Sequence, residues 1–386
     1  MNISRMQEAI GQEGCDAWLF FDHHRRDSLA YRILDLPDEL HSTRRWFYLV
    51  PASGNPIKLV HQIESHTLEH LPGVTRSYSR WQDLHESVLA MLKGYKQVAM
   101  QYSPDCAIPY VSMIDGGTLE LIRSCGVQVI SSANLVQLFE ARWSAAQLQS
   151  HLEAGKIMDR IRAAAFSFIA SGSGNDEFTV KCFLRDAFAA HGLITDHGPI
   201  VAVNENASDP HYEPSQEKHR PIRLGDLILI DMWAKFDRPQ AVYYDITWTG
   251  YKGESVPEEI QKIFHVVTGA RNCAVNLVQE RVKSAKGLQG FEVDDAARTY
   301  IAAQGYGEHF IHRTGHSIGT DVHGAGANMD NYETHDERSV ISQTCFSIEP
   351  GVYLPAFGIR SEVNVYVGLG EAQVTGEMQS ELLLLS

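Results

Sequence analysis

Short apolar runs alternate with longer periodic segments along the first third of the chain. The short runs have the length and composition of β-strands: AWLFF, WFYLV, IKLVHQI, QVAMQY and VQVISS. Two longer segments have the spacing of amphipathic helices: WQDLHESVLAMLKGY and IPYVSMIDGGTLELIRS. This alternation predicts an α/β domain over residues 1–143.

Residues 144–386 contain longer helical segments and longer strands. Four segments predict helices: 145–170, 176–191, 255–284 and 293–305. In the third of these, Ser255 and Glu258 have the spacing of a capping box. Six apolar runs predict strands: 198–204, 226–236, 241–251, 344–354, 359–367 and 380–385. We expect the helices to pack on one face of a curved, mostly antiparallel sheet, which makes the chain as a whole α+β.

Two aspartates interrupt the apolar strands of this second part. Asp231 lies in LILIDMW and Asp245 in AVYYDITW. Their midpoint is Arg238, which stands beside Pro239 in a turn-like segment. A hairpin about this turn would place the two carboxylates directly opposite each other. Two facing anions destabilise a sheet unless positive charge lies between them.

Glu349 and Glu362 repeat the pattern in FSIEPGVY and GIRSEVNV, and their midpoint falls in the turn-like segment LPAFG. A set of buried ion pairs is the alternative interpretation of the four acids. Few basic residues stand near them in the chain: Lys235, Arg238 and Arg360. Four carboxylates and one imidazole could instead coordinate two divalent cations.

The segment HRTGHSIGTDVHG supplies three candidate imidazoles, His312, His316 and His323. Gly315 and Gly319 argue against a helix interior, so we predict a loop that runs into a short strand. On a strand, His316 and His323 would point to opposite faces unless a bulge intervenes. The spacing alone leaves open which histidine binds a metal. Oxygen-rich ligation with a single imidazole favours Mn²⁺ over zinc.

Composition narrows the class of protein. The 386 residues carry a net charge of −15 without a basic run, which argues against a nucleic-acid or membrane-surface partner. Six scattered cysteines without a C-x-x-C pair are typical of reduced thiols in a cytoplasm. The N-terminus has no apolar signal core, and no apolar run has the length of a membrane helix. We therefore expect a cytoplasmic protein.

In these acids and histidines the chain resembles the M24-type "pita-bread" metallopeptidases, the family of Xaa-Pro aminopeptidase, prolidase and creatinase. The resemblance is strong over roughly residues 145–386. It implies a pita-bread catalytic domain over 144–386 and a smaller creatinase-like α/β domain before it. The ligands of the family's dinuclear site fall in chain order on Asp231, Asp245, His316, Glu349 and Glu362.

Flanking motifs extend the resemblance and assign further roles. The residues from His312 to His323 match the family pattern H-x-x-x-H-x-x-G-x-x-x-H. The segment that starts at Glu349 matches E-P-G-x-Y, and the segment around Arg360 matches G-x-R-x-E. His211 is followed by tyrosine, as is an upstream histidine of the family. The resemblance implies that Glu349 moves a proton. It implies that His323 and His211 stabilise the oxyanion or hold the substrate carbonyl. It also implies that His312 and Arg360 line the pocket for a proline ring or its carboxylate.

Three departures from the family pattern fall around the pocket. Trp233 stands where the family's D-x-G has glycine, Trp248 replaces the arginine of D-x-T-R-T, and Gly324 follows His323 where an acid is common. The five ligand positions are intact. The departures therefore bear on the identity of the substrate more than on the chemistry.

The resemblance implies metal-assisted hydrolysis of an Xaa-Pro amide bond in dipeptides or short peptides, with two divalent ions. Mn²⁺ is favoured, and Co²⁺ and Zn²⁺ are alternatives. A related amidohydrolase acting on a small non-peptide amide is the second hypothesis. A metal-free creatinase-like or binding member ranks last, because such relatives typically lose the acids. A homodimer is also expected, and FDHHRRDSLAYR and LHSTRRWFY concentrate the Arg, His and aromatic residues that suit its interface.

Overall fold

The computed structural model describes residues 2–37 and 39–386. The chain divides into two compact units, Met1–Glu140 and Ala141–Ser386. In the described part of the chain, the helices are all too short or too polar to cross a membrane.

The N-terminal unit contains a mixed six-stranded sheet flanked by helices. Its strands are β1 (Ala17–Asp22), β2 (Trp46–Pro51), β3 (Ile57–His61), β4 (Val74–Tyr78), β5 (Gln97–Met100) and β6 (Gln128–Ser131). Its helices are α1 (Ile3–Gln12), α2 (Ser28–Leu34), α3 (Trp81–Leu92), α4 (Gly116–Ser124) and α5 (Ala133–Val136). The strand order is β4-β3-β2-β1-β5-β6. Only β1–β2 and β2–β3 are antiparallel among its pairs of described strands.

One predicted helix of this unit is shorter than its sequence pattern. The helix expected over 108–124 begins only at Gly116, because the Asp115 carboxylate accepts the backbone N–H of Thr118 and caps the helix there. Helices α1 and α2 were not predicted, although Asn2 and Asp27 cap them in the same way. Both are short: α1 has 10 residues and α2 has 7.

The C-terminal unit contains four long or medium helices and three small sheets. The helices are α6 (Ala145–Ala170), α7 (Glu177–Ala190), α8 (Glu258–Lys283) and α9 (Gly290–Ala303). The strands are β7 (Leu193–Ile194), β8 (Ile200–Val203), β9 (Leu227–Phe236), β10 (Tyr244–Tyr251), β11 (Ser317–Ile318), β12 (Thr344–Ile348), β13 (Gly351–Leu354), β14 (Phe357–Arg360), β15 (Val363–Val367), β16 (Ala372–Val374) and β17 (Leu383–Leu384). The sheet orders are β17-β10-β9-β7 with β8 beside β9, β11-β12-β15-β16, and the pair β13-β14.

Alternate residues of β9 and β10 belong to two different cores, as expected for strands whose side chains point to opposite faces. On one face Ile230, Met232, Ile246 and Trp248 pack with α6 and α7. The other face carries the two aspartates. A separate core joins α8 and α9 to β12–β15, so the acid-bearing face lies between helical layers.

Three sequence predictions need correction in this unit. The run 344–354 is two strands broken at Glu349, and the run 359–367 is two strands broken at Glu362. The capping box is also wrong: α8 begins at Glu258 after Pro257, so Ser255 lies outside the helix and Glu258 occupies its first position. A capping box needs its Glu at the third helical position.

Gly315 allows two chain segments to approach closely next to His316. Its N–H donates to the carbonyl of Met329 at 3.2 Å, and the N–H of Met329 donates back to the Gly315 carbonyl at 3.0 Å. A Cβ atom on Gly315 would lie 1.9 Å from the carbonyl oxygen of Ser347. A side chain at this position would therefore force β12 away from the histidine loop.

We expect Gly315→Ala to destabilise the C-terminal unit. Displacing a backbone carbonyl from a packed site costs about 1–3 kcal/mol, or about 2–4 °C per kcal/mol in a unit of this size. Gly319→Ala is the matched control, because the nearest atoms to its added Cβ lie 3.9 Å away. Differential scanning calorimetry of both variants measures the effect, and equal melting temperatures would contradict the close-approach argument.

Candidate metal centre

Strands β9 and β10 form an antiparallel hairpin that carries two of the predicted acids. Asp245 is paired with Trp233, and Asp231 is paired with Thr247. The prediction that the aspartates are directly opposed is therefore wrong. All residue pairs of the hairpin are centred on Pro239, one residue beyond the predicted centre at Arg238. Moving the centre by one residue changes the partner of each residue by two positions. The two carboxylates are diagonal neighbours on one face.

Glu349 and Glu362 lie in a gap between two antiparallel ladders. The last pair before the gap and the first pair after it share one midpoint: Ile348 with Val363, and Gly351 with Arg360. The register therefore continues across the gap, and the two glutamates stand opposite each other there. Leaving the regular ladder frees both side chains from its strict alternation.

His316 directs one ring nitrogen at the acids. Its Nδ1 lies 3.2 Å from the carbonyl oxygen of Ser317, which can only accept, so Nδ1 carries the hydrogen and Nε2 has a lone pair. Nε2 lies 3.5 Å from Asp245 Oδ2 and 3.4 Å from Glu349 Oε1. A lone pair and two carboxylate oxygens converge on one point, which requires a cation or a proton between them.

The donor atoms of this cluster fit a divalent cation. Asp245, His316 and Glu362 each offer one ligand atom, and these atoms lie within 4.8 Å of one another. One oxygen each of Asp231, Asp245 and Glu362 is buried without a hydrogen-bond partner in the part of the chain that the structure describes. Buried carboxylate oxygens are normally paired, so their orphaned state matches a ligand set for a hard cation.

Electrostatics lead to the same conclusion. Burial raises the pKa of Asp245 and of Glu362 well above the ordinary carboxyl value, and repulsion from the neighbouring acids adds to the rise. Burial also raises the pKa of Glu349, while His316 and Arg360 oppose that rise. Close anions out of water favour their protonated forms, and a bound dication would reverse this preference.

Arg360 begins a chain of hydrogen bonds that ends at His312. The guanidinium of Arg360, which is buried, donates to Asp231 Oδ2 and, at 2.9 Å, to the hydroxyl of Tyr353. The Tyr353 hydroxyl donates to His312 Nε2 at 2.7 Å, since His312 Nδ1 donates to the Arg313 carbonyl. Burial and the charge of Arg360 lower the pKa of His312 to about 3, so its imidazole is neutral.

His323 lies beside His316, with ring centroids 4.4 Å apart and an edge-on angle of 84°. The expectation of opposite faces assumed one strand running from His316 to His323, and the structure has no such strand there. Strand β11 is only two residues long, and the N–H of Gly324 donates back to the carbonyl of Ser317, which returns the chain to the cluster. The neighbouring His316 and burial lower the pKa of His323 to about 2, and the exposed His211 makes a smaller contribution.

The residues that hold the histidine loop were not predicted from the sequence. Asp294 of α9 accepts the backbone N–H and the hydroxyl of Thr314, at 2.9 and 2.7 Å. Arg298, one turn later, donates to the same aspartate and to the carbonyls of Phe310 and His312. The sequence shows Asp294 and Arg298 as an acid and a base four residues apart on a predicted helix. The loop that they bind lies in another segment of the chain, which the spacing does not indicate.

Two hydroxyl groups that bind the acids were also missed. Thr247 donates to Glu362 Oε2 at 2.8 Å, and Ser347 donates to Glu349 Oε1 at 3.1 Å. Thr247 stands two residues after Asp245, and this spacing on a strand placed it on the same face. These hydroxyls fix the rotamers of both glutamates.

Comparison with known proteins gives the family. The profile of metallopeptidase family M24 matches residues 149–368, which is more than half of the chain. An Xaa-Pro dipeptidase of Lactobacillus delbrueckii subsp. lactis is 32% identical over 169 residues, covering 44% of this chain and 41% of the relative. An Xaa-Pro dipeptidase of Pyrococcus horikoshii is 31% identical over 235 residues, covering 60% and 61%. The chain spans less than two thirds of the length of these relatives.

Solved structures show the fold. Dipeptidase PepE from Mycobacterium ulcerans superposes with a TM-score of 0.72 at 24% identity, covering 99% of this chain and 96% of that chain. A prolidase from Thermococcus sibiricus gives a TM-score of 0.64 at 23% identity, covering 99% and 98%. The predicted α+β pita-bread architecture is confirmed. With the family profile matched across the segment that carries the acids and His316, the chain belongs to metallopeptidase family M24.

Proposed function

We propose that the protein is an exopeptidase that depends on two divalent cations and hydrolyses Xaa-Pro bonds in dipeptides or short peptides. The observation that carries the proposal is the convergence of buried, unpartnered carboxylate oxygens with the Nε2 lone pair of His316. The names of the relatives described above support the substrate class. Peptide hydrolysis also suits a site that is rich in acids and close to neutral imidazoles.

Five residues would hold the cations: Asp231, Asp245, His316, Glu349 and Glu362. Four carboxylates balance the charge of two dications. The oxygen-rich set favours Mn²⁺, with Co²⁺ and Zn²⁺ as alternatives. When bound, such cations lower the pKa of water and polarise a carbonyl group.

Glu349 is assigned the proton transfer. Its side chain is 16% exposed, against 6% for Asp245, so it can reach a bound substrate. Ser347 holds one of its oxygens at 3.1 Å, and Arg360 Nε lies 3.9 Å from the other. A carboxylate held in this way can accept a proton from the attacking water and return it to the leaving nitrogen.

The remaining polar groups are assigned to the substrate. His323 and His211 would donate hydrogen bonds to the carbonyl oxygen as negative charge develops on it. His312, whose ring is partly exposed, and Arg360 behind it are assigned to the proline ring and its carboxylate. The Tyr353 hydroxyl is hydrogen-bonded to both of these groups.

A second candidate is an amidohydrolase acting on a small non-peptide amide. The observation that favours it is Trp233, which is paired with Asp245 on the acid-bearing face, where a bulky ring reduces the room for a peptide. The acids would serve the same chemistry in both cases. The two candidates therefore differ only in what the pocket admits.

A homodimer is also proposed, in which the N-terminal unit of one copy borders the catalytic cluster of the other. This unit has a cavity of about 740 Å³ whose basic lining residues are His23, Arg26, Arg44, Arg45, His61 and His85. Among the described residues, Arg26, Arg44 and Arg45 have no carboxylate within ion-pair distance. Arg26 and Arg44 bond to the side chains of His23 and Thr43, and arginines without a carboxylate partner suit an interface or an anionic substrate group.

The substrate proposal predicts cleavage of Ala-Pro and short Xaa-Pro peptides by protein loaded with Mn²⁺. Non-proline dipeptides and simple amides should be poor substrates. Chelation should abolish turnover and lower the melting temperature, because the cations stabilise only the folded protein. Chromatographic product analysis and calorimetry measure both effects. Cleavage of non-peptide amides alone would favour the second candidate, and an unchanged melting curve after confirmed metal loss would remove the metal centre.

Glu349→Gln should reduce kcat by about 10²–10⁴-fold, because the amide keeps a ligand oxygen but cannot accept the proton. Metal content and melting temperature should change little. Glu371→Gln, in an exposed turn, is the matched control for the substitution itself. Metal analysis by mass spectrometry accompanies the kinetics, and native turnover in a metal-loaded Glu349→Gln protein would exclude the assigned role.

Arg26→Ala should raise KM for short substrates without changing metal content, because the arginine side chain is assigned to the neighbouring copy. Arg76→Ala is the matched control, since Arg76 is exposed on β4 of the same unit and outside the basic cavity. Steady-state kinetics and analytical ultracentrifugation test the proposal together. A fully active monomer at micromolar concentration would contradict it.

A further inference from the structure

Trp233 stands next to the acids that would bind the cations. It follows Asp231 by two residues on β9, so both side chains point to the same face. It is the cross-strand partner of Asp245, and such partners have Cβ atoms about 4.5–5.5 Å apart. The residues on either side of it, Met232 and Ala234, pack on the opposite face against the helices.

The loop 195–199 fixes the indole in one position. Trp233 Nε1 donates to Asp196 Oδ1 at 2.7 Å. The ring of His197 meets the indole at a centroid distance of 5.4 Å and an angle of 76°. A Cβ atom on Gly198 would lie 2.6 Å from the six-membered ring, so the backbone of this loop lies directly against it. The indole therefore has little freedom to move aside.

The apolar cluster that contains Trp233 also contains the residues next to both outer histidines. Trp233 shares an apolar cluster with Tyr212, which follows His211 in the chain, and with Val322, which precedes His323. Trp233 thus lies beside the acids, in the apolar cluster that also contains the chain neighbours of both outer histidines.

Negative charge surrounds this end of the cluster. Asp196 accepts the hydrogen bond of the indole Nε1 at 2.7 Å, and Asp231 and Asp245 stand on the same face of the hairpin as Trp233. The one lysine at this end, Lys235, donates to the carbonyl of Thr320 at 2.6 Å and lies over the ring of Tyr243. A free α-ammonium group is therefore favoured near Trp233, while Arg360 attracts a carboxylate at the other end.

We propose that Trp233 is a specificity-determining residue whose indole walls the subsite for the amino-terminal residue and restricts Xaa to small side chains such as Gly, Ala and Ser. This inference rests on the proposed Xaa-Pro peptidase function. The wall has a fixed size because Asp196, His197 and Gly198 hold it from behind. A large Xaa side chain would have to displace a ring that is packed on all of these groups.

The test compares kcat/KM for Ala-Pro and Leu-Pro in the metal-loaded full-length protein. The native protein should prefer Ala-Pro by at least tenfold in kcat/KM. One methylene group that a hydrophobic pocket does not accommodate changes kcat/KM by about 10–200-fold. Trp233→Ala should lower this ratio at least tenfold, mainly through KM for Leu-Pro. Trp233→Phe, which is more conservative, should give an intermediate ratio and covers the case in which the alanine variant does not fold.

Trp248→Ala is the matched control. Trp248 is on the neighbouring strand, is 8% exposed like Trp233, and lies on the opposite face over the guanidinium of Arg162. The expectation that this departure from the family pattern falls around the pocket is therefore wrong. Loss of Trp248 should lower the melting temperature by a similar amount and leave the Ala-Pro to Leu-Pro ratio unchanged. Metal content measured by mass spectrometry should stay the same in all variants. A merely structural role for Trp233 predicts equal ratios in the two alanine variants.

A binding measurement separates failure of this inference from failure of the proposed function. Melting-temperature shifts on adding Ala-Pro, Leu-Pro, alanine and leucine report the size of the subsite without cleavage. Suppose that no Xaa-Pro peptide is cleaved, but small ligands give the larger melting-temperature shifts and Trp233→Ala removes that preference. The proposed function is then wrong, and the role of Trp233 in limiting the size of the subsite is supported. If the native protein treats small and large ligands alike, or folded Trp233→Ala keeps the native preference, the inference is overturned.

Discussion

The repulsion among four buried carboxylates is the constraint on which the rest of the C-terminal unit depends. Each acid lies out of water beside others of the same charge, and the effective penalty is several kcal/mol per isolated buried ion. The surrounding groups reduce that penalty in specific ways. Thr247 and Ser347 donate hydroxyl hydrogen bonds to two of the acids, and Arg360 places a buried positive charge against a third. The orphaned oxygens that remain mark the space for cations.

Strand register brings these acids together. In the β9–β10 hairpin, the turn centre at Pro239 makes the two aspartates diagonal neighbours, which separates the anions more than direct opposition would. In the second pair of ladders, the gap at Glu349 and Glu362 releases both side chains from the regular pleat. The backbone N–H of Glu362 donates to the carbonyl of Thr247, so the gap is bonded to the first hairpin. Together with the Thr247–Glu362 and Arg360–Asp231 side-chain bonds, this hydrogen bond connects the two halves of the cluster.

Buried carboxylates on helices hold the loops that carry the histidines. Asp294 of α9 binds the loop between His312 and His316. Glu177, at the start of α7, accepts hydrogen bonds from the backbone of Val203 and Arg220 and from the hydroxyl of Tyr212. Tyr212 is the neighbour of His211, so the same device fixes the outer histidine. In both cases a rigid helix positions a loop that has little regular structure of its own.

The sequence by itself determined the chemistry and most of the elements. An acid in a run of apolar residues, such as Asp231 in LILIDMW, cannot be placed on the surface without exposing the run, so its burial and its need for positive charge follow from the pattern alone. Long periodic helices such as α6 and α8 were predicted for the same reason. Short elements such as α1 and α2 were not, because a few turns contain too little periodic information.

Only the tertiary structure decided register and partners. A shift of one residue at the β9–β10 turn changes which side chain faces Asp245, and no local pattern distinguishes the two registers. The single strands expected around Glu349 and Glu362 are interrupted because each glutamate forms hydrogen bonds with groups distant in the chain. Such bonds cannot be predicted from the apolar residues of the segment. The placement of Trp233 against Gly198, and of His323 against His316, likewise depends on segments that meet only after folding, since the contacts involve backbone paths rather than residue types.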